Sequence, residues 1–402
     1  MISTCQSYLS ILCEEIPERP VGSEGNRRAT RFFQDVVETF GWNVESTPFE
    51  AMHWQDGGAV FTIGQTPYQV FPSPYALGCE LKADLVAAGT LSELKEVVCQ
   101  GKLLLLHGEL AQEQLMPKNF VFYNPEEHQQ IIATLEGKKP AAILTATGRN
   151  ASLAGGVYPF PLIEDGDFQI PSVYLTEEEG QKILPFVGKS ARLISRAVRT
   201  PSPGVNLVAR KGSDTTHRIA ISAHIDAKLN TPGAIDNATG VIVLLLLAES
   251  LKDYQGEPVI ELLPFNGEDY YAASGQMLYM QQNQDRFGEF LININIDGAG
   301  YSEGPSAFSP FNLPDQMQSC LDEILDSSED LIRGQPWYQG DHSIFLQQGV
   351  PAIAVSSKWF VDHVDGQDIT HTPRDHPGIV ACHKIIDLNN ALIKFIQGSL
   401  IS

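Results

Sequence analysis

Residues 218–226 read Arg-Ile-Ala-Ile-Ser-Ala-His-Ile-Asp, a short apolar run that ends on His224 and Asp226. Such a run reads as a buried strand that carries polar side chains out of the core at its end. The segments that follow repeat the pattern. Residues 240–251 are apolar over most of their surface, as a helix packed on several sides must be. Residues 259–265 form a second apolar strand and run into Asn266, Gly267, Glu268 and Asp269. A helix over 274–282 and a strand over 291–296 follow, the latter delivering Asp297; residues 352–356 add a strand and 383–396 a closing helix. This alternation predicts an α/β fold, a mostly parallel central sheet flanked by helices on both faces. In such sheets ligands bind beyond the carboxyl ends of the strands.

Working outward, Ala29, Phe32, Phe33, Val36, Val37 and Phe40 form one apolar helical stripe that stops at Gly41, and a strand over 42–49 comes next. From about 57 to 202 the texture changes to short apolar runs separated by Pro- and Gly-containing turns, with short helices over 90–98 and 176–184. This stretch reads as a smaller β-rich inserted domain, and Pro201 to Pro203 punctuate its exit. The expected organisation is 1–56 and 203–402 as the main domain, with 57–202 inserted.

Composition narrows the function classes. The 402 residues include 49 acidic and 27 basic side chains, a formal charge of -22, which repels phosphate backbones and anionic lipid. Nucleic acid and membrane are therefore not expected partners. The six cysteines form no C-x-x-C pair and read as separate thiols in a reducing compartment. No stretch has the length of a membrane span, and the N-terminus reads as an amphipathic helix and not a signal peptide, so the expected location is the cytoplasm.

Each polar strand end has an ordinary reading as well as a chemical one. His224 can be a hydrogen-bonded histidine or a metal ligand that Asp226 orients. Asp236 can cap the helix that follows it, or bridge two cations with its two oxygens. Glu268 and Asp269 can be surface charge; buried together, they need a cation or a proton to separate their roles. Asp297 can start a turn, and His371-Thr-Pro-Arg-Asp375 can be a polar loop. Taken together they fall at one edge of one sheet. His224, Asp236, Asp269, Asp297 and His371 make a mixed nitrogen and oxygen set that suits zinc, with cobalt or manganese as substitutes. Five ligands exceed what one open catalytic zinc needs, so two zinc ions are expected.

These segments, with Gly340-Asp341-His342-Ser-Ile-Phe345 and the opening Arg19-Pro-Val-Gly-Ser23-Glu-Gly-Asn26, resemble the di-zinc exopeptidase family that includes bacterial leucyl aminopeptidases, glutamate carboxypeptidase and glutaminyl cyclase. The resemblance implies that Asp236 bridges two metals, that His224 and Asp297 complete one and Asp269 and His371 the other, and that Glu268 is the general base. Asp226 would orient His224, and Asp341 and His342 would contact substrate or support the ligands. The inserted module resembles a protease-associated domain. Relatives usually carry Glu-Glu where this chain has Glu268-Asp269, which puts a shorter carboxylate at one ligand position. The implied activity is an aminopeptidase acting on peptide substrates. Glutaminyl cyclisation, a carboxypeptidase using Lys228 or Arg374, and a non-catalytic binding protein are the alternatives. Trp337, Tyr338 and Trp359 could line a specificity pocket.

Overall fold

An apolar helix with no polar face must be enclosed, and the segment Thr239–Ser250 is buried from Thr239 to Ala248. A computed structural model describes the chain except Pro17, Ala151, Ser152, Ala154, Gly155, Asp214, Thr215, Asp365 and residues 400–402. The chain divides into two compact units, Met1–Ala51 with Ser202–Ser402, and Met52–Pro201.

The first unit is built on an eight-stranded sheet. Its strands are β1 (Asn43–Gln55), β2 (Val198–Lys211), β3 (Arg218–His224), β4 (Val259–Phe265), β5 (Phe290–Ile296), β6 (Ser306–Phe311), β7 (Leu331–Arg333) and β8 (Ala352–Ser357). They lie in the order β1-β2-β4-β3-β5-β8-β6-β7. The middle strands β4, β3, β5 and β8 are parallel, while β2 and β6 run antiparallel to β4 and β8. The expected mostly parallel, helix-covered sheet is therefore present. The helices are α1 (Ile2–Ser10), α2 (Glu24–Thr39), α3 (Thr239–Ser250), α4 (Ser274–Gln282), α5 (Asp315–Asp326), α6 (His342–Leu346), α7 (Lys358–His363) and α8 (Cys382–Ser399). Ser23 caps α2 by accepting the Asn26 N–H at 3.0 Å, and Gly41 follows the helix with φ 73°.

The two faces of the sheet differ in chemistry. Side chains alternate along a strand, and Ile219, Ile221, Ala223, Ile260, Leu262, Ile292, Ile294 and Ile296 join one apolar core with α1, α2, α3, α5 and α8. The opposite face holds buried polar residues. Arg218 on β3 donates to Glu261 on β4 at 2.7 and 3.1 Å, and its guanidinium lies 4.1 Å over the Phe290 ring. Tyr279 on α4 donates to the second oxygen of Glu261 at 2.8 Å. Further along the same face, Ser222 donates to Asn295 at 2.8 Å and accepts from Asn293 at 3.0 Å. β3 thus runs from a paired Arg218 to His224 along a polar file, flanked by an apolar one.

The second unit carries its own eight-stranded sheet. Cys79–Ala88, Leu103–Leu106, Ala142–Thr147 and Ser172–Thr176 are parallel neighbours within it. Antiparallel pairs extend both ends, through Ser190–Ser195 and Ala59–Ile63 on one side and Phe71–Pro72 on the other. The helix Glu126–Lys138, absent from the sequence expectation, buries His128, Ile131, Ile132 and Leu135. Among the described residues no helix is long and apolar enough to cross a membrane.

Glu261 is fully buried, as is the Arg218 guanidinium it holds. Glu261→Ala would leave a buried cation short of its main partner, so a loss of about 3–5 kcal/mol is expected from urea unfolding.

Candidate metal centre

Register brings the polar strand ends together. His224 pairs with Phe265 across β3 and β4, and Ser222 pairs with Asn295 across β3 and β5. His224, the 266–269 loop and Asp297 therefore leave the sheet at one level. Asp236 arrives from the loop before α3. Gly233 enters this loop with φ 58°, and a Cβ there would stand 2.8 Å from the Arg19 guanidinium. The Asp236–Asn237 peptide bond is cis. The capping role that Asp236 could have filled belongs to Asn237, whose Oδ1 accepts the Gly240 N–H at 3.0 Å while its Nδ2 donates to the Ile296 carbonyl at 2.8 Å. The Asp236 carboxylate is left to face the cluster.

The two oxygens of Asp236 meet two imidazoles. His224 Nε2 is 3.0 Å from Asp236 Oδ1 and 3.6 Å from Asp297 Oδ1. His371 Nε2 is 3.1 Å from Asp236 Oδ2 and 3.2 Å from Asp269 Oδ1. Three triads have ligand atoms within 4.8 Å of one another: His224, Asp236 and Asp297; Asp236, Asp269 and His371; and His224, Glu268 and Asp269. The five ligand candidates from the sequence thus lie in one cluster, together with Glu268. The donors fit a divalent cation. Asp269 Oδ2 is buried without a hydrogen-bond partner, so a carboxylate oxygen points into the cluster with no protein donor to satisfy it.

Backbone groups hold the ligands in place. The Asp226 carboxylate accepts the N–H groups of Gly267, Glu268 and Asp269 at 2.9, 3.3 and 3.0 Å. It lies 3.8 Å from His224 Nδ1, and the hydrogen bond that orients this ring goes to the Asp226 backbone carbonyl at 3.1 Å. A carbonyl only accepts, so a neutral His224 carries its hydrogen on Nδ1 and presents the Nε2 lone pair to the cluster. Asp226 therefore orients the histidine through its main chain and shapes the 267–269 turn through its side chain. Asp375 does the same for the other loop, accepting the N–H groups of Ile235 and Asp236 at 2.7 and 3.0 Å. Arg19, fully buried, donates to the carbonyls of Leu12, Ile225, Pro232 and Gly233. Asn26 and Asn266 exchange amide hydrogen bonds at 2.8 and 3.0 Å, fixing α2 to the turn after β4. Roles for Asp375, Arg19 and Asn237 were not read from the sequence, although all three lie in motifs it singled out.

Burial and charge crowding dominate the electrostatics. Burial, with the charges of Asp269, Asp297 and Asp341, pushes the Glu268 carboxyl well above its usual range against the opposing effect of His224. Burial lifts Asp341 to about 7 and Asp226 to about 6. Burial alone would lower the His224 imidazole, but the carboxylates of Asp236 and Asp297 outweigh it and raise its pKa well above normal. Burial likewise opposes a charged His371, and the carboxylates of Asp269 and Asp236 overcome it. Asp236, facing both imidazoles, is lowered despite its burial.

The remaining candidates sit around this cluster. Asp341 is buried; Oδ1 accepts from Gln276 at 2.9 Å and Oδ2 has no hydrogen-bond partner. His342 packs its ring against Trp337 and Phe311 and places Nε2 2.9 Å from the Trp337 carbonyl, a packing position. Trp359 stacks among Tyr301, Phe360 and His363, whereas Tyr338 is exposed. Of the two cations near the motifs, Lys228 places Nζ 3.9 Å from Asp269 Oδ1, and Arg374 pairs with Asp368 at the surface.

The chain resembles known proteins in sequence and in fold. Residues 206–396 match the sequence profile described as Peptidase family M28. The match takes in all five ligand candidates. The chain is 22% identical over 210 residues to probable leucine aminopeptidase 2 of Aspergillus oryzae, covering 51% of this chain and 36% of that protein. It is 22% identical over 292 residues to aminopeptidase YwaD of Bacillus subtilis, covering 63% of each. The chain thus spans less than two thirds of the length of either relative. Among solved structures, BSAP, a zinc aminopeptidase from Bacillus subtilis, is similar with a TM-score of 0.75 at 17% identity, covering 100% of this chain and 95% of that one. A glutaminyl cyclase of Porphyromonas gingivalis is similar with a TM-score of 0.53 at 13% identity, covering 99% and 98%. At these identities the structural likenesses are likenesses of fold.

Asp226→Ala removes the acceptor for three consecutive N–H groups beside the cluster. Divalent-metal affinity is expected to fall about 10–100-fold, measured by competition with a chromophoric chelator.

Proposed function

We propose that this chain is a zinc-dependent exopeptidase of Peptidase family M28 and of the aminopeptidase type, cleaving the N-terminal peptide bond of peptide substrates. The observation that carries this reading is the pair of triads sharing Asp236, with Glu268 beside them. His224, Asp236 and Asp297 would hold one zinc ion, and Asp236, Asp269 and His371 the second. Bound zinc supplies Lewis acidity, polarising a carbonyl oxygen and making water more acidic. The protein supplies the proton traffic. The Glu268 carboxylate is half-buried and faces other carboxylates, which raises its affinity for a proton. In this reading it takes a proton from the attacking water and hands it to the leaving amine nitrogen. The Asp226 carboxylate holds the 267–269 backbone, and so keeps Glu268 and Asp269 at fixed positions. Asp375 and Arg19 hold the loop of Asp236 in the same way.

The family match and the fold shared with a protein titled a zinc aminopeptidase support this assignment. Asp269 is one methylene shorter than the glutamate expected from the resemblance, yet its Oδ1 lies 3.2 Å from His371 Nε2. In the same reading, the unit Met52–Pro201 is a protease-associated-like insertion.

Glu268→Gln keeps the size of the side chain and removes the base. It is expected to retain metal by elemental analysis while kcat on an aminoacyl-nitroanilide falls about 10²–10⁴-fold; unchanged turnover would remove Glu268 from this role. A broader panel checks the reaction class. Free-amine aminoacyl-nitroanilides should be hydrolysed, chelator should abolish the activity, and two zinc ions per chain should restore it. Cyclisation of N-terminal glutamine with one zinc per chain, hydrolysis confined to C-terminal residues, or no turnover of any member would each overturn the aminopeptidase reading.

A further inference from the structure

From their spacing the six cysteines read as separate thiols, and all six are free in this structure. One pair nevertheless departs from the rest. Cys5 on α1 and Cys382, the first residue of α8, lie 377 positions apart in sequence with their Sγ atoms 2.7 Å apart. That is closer than two unbonded sulfurs ordinarily approach, and a small adjustment from the disulfide length of about 2.05 Å. Cys5 is fully buried in the core that α1 shares with Ile385 and Leu388 of α8, while Cys382 is half-buried. The backbone around Cys382 is firmly held. The Ala381 N–H donates to the Gly300 carbonyl at 2.9 Å, and Lys384 Nζ donates to the carbonyls of Tyr301, Ser302 and Gly304 at 3.0, 2.8 and 2.7 Å.

We propose that Cys5 and Cys382 form a dithiol modification site that small-molecule disulfides oxidise to an intramolecular disulfide. The site is separate from the metal centre and independent of the peptidase reading. Cys382 is the less buried residue of the pair, so its thiolate is the one that attacks one sulfur of the reagent R–S–S–R. The reagent bond breaks, one RS⁻ leaves with the electron pair, and a mixed disulfide forms on Cys382. Cys5, losing its proton, then attacks the Cys382 sulfur and displaces the second RS⁻. Two cysteine thiols are oxidised, one reagent disulfide is reduced to two thiols, and the two cysteine protons end on those thiols. Full burial excludes the reagent from Cys5 and leaves the neighbouring sulfur within reach, although it also pushes the Cys5 thiol well above its ordinary range and so slows the second step. The bond joins the first helix of the chain to the last and encloses nearly the whole sequence, the loop geometry that most restricts an unfolded chain.

The test uses the full-length protein, reduced and then equilibrated with oxidised glutathione. Thiols counted in denaturant should fall from six to four, with peptides carrying Cys5 and Cys382 joined in the digest. The Tm should rise by about 3 °C or more and return on adding dithiothreitol. Cys382→Ser should give neither the linked peptide nor the Tm shift. Cys5→Ala, which leaves Cys382 in place, should stop at a glutathione adduct on Cys382. Six remaining thiols, a glutathione adduct on Cys382 in the unmodified sequence, linkage through another cysteine, or a linked chain with unchanged Tm would overturn the proposal.

Discussion

The carboxylates of Asp236, Glu268, Asp269, Asp297 and Asp341 crowd a partly buried space beyond the ends of parallel strands, where screening is weaker than at an open surface. Like charges gathered in this way repel, and burial adds to the cost of keeping each one ionised. Two imidazoles answer part of this charge. The charge left over attracts cations, zinc ions in the reading proposed above, and its mutual repulsion would pull the cluster apart if its loops were free to move. Much of the surrounding architecture is best understood as restraint on those loops.

That restraint is applied through the main chain. Asp226 grips three successive amides, Asp375 two, and Arg19 four carbonyls. None of these bonds occupies a ligand atom of the five metal candidates, so the restraint and the chemistry do not compete for the same oxygens. The sheet makes a similar separation. Its apolar face, packed against α1, α2, α3, α5 and α8, supplies hydrophobic stabilisation without involving the strand ends. Its polar face carries Arg218, Glu261, Ser222, Asn293 and Asn295, and His224 continues that file to the edge.

Most of the main sheet was legible because strand and helix announce themselves by different periods. Residues 259–265 and 274–282 were read with the bounds they have, and the buried helix at 239–250 lay one residue from its expected place. β6, β7 and α5 were not read, since Ser306–Phe311 contains Ser309 and Pro310 and β7 is three residues long. The five ligand candidates stood out because each ends or follows a strand. Their supports did not. Asp226 looked like an orienting carboxylate two residues from a histidine, but spacing alone does not say whether a side chain or a carbonyl meets the ring. Asn237 hid behind Asp236 because both are good capping residues. Asp375 and Arg19 act on backbone groups of distant segments, and such partners leave no mark on the pattern of side chains.

Arg19 is an anchor that asks little of its partners. Among the described residues its guanidinium forms no salt bridge to a carboxylate; its hydrogen bonds to the main chain go to the carbonyls of Leu12, Ile225, Pro232 and Gly233. The specification of this joint is therefore lopsided. One side must be a planar, multiply donating cation, whereas Leu12 and Ile225 contribute only oxygens that any residue possesses. Those two positions are free to change with the demands of packing, and the joint survives as long as the path of the backbone does. A centre that depends on such joints can keep its geometry while much of the sequence around it drifts.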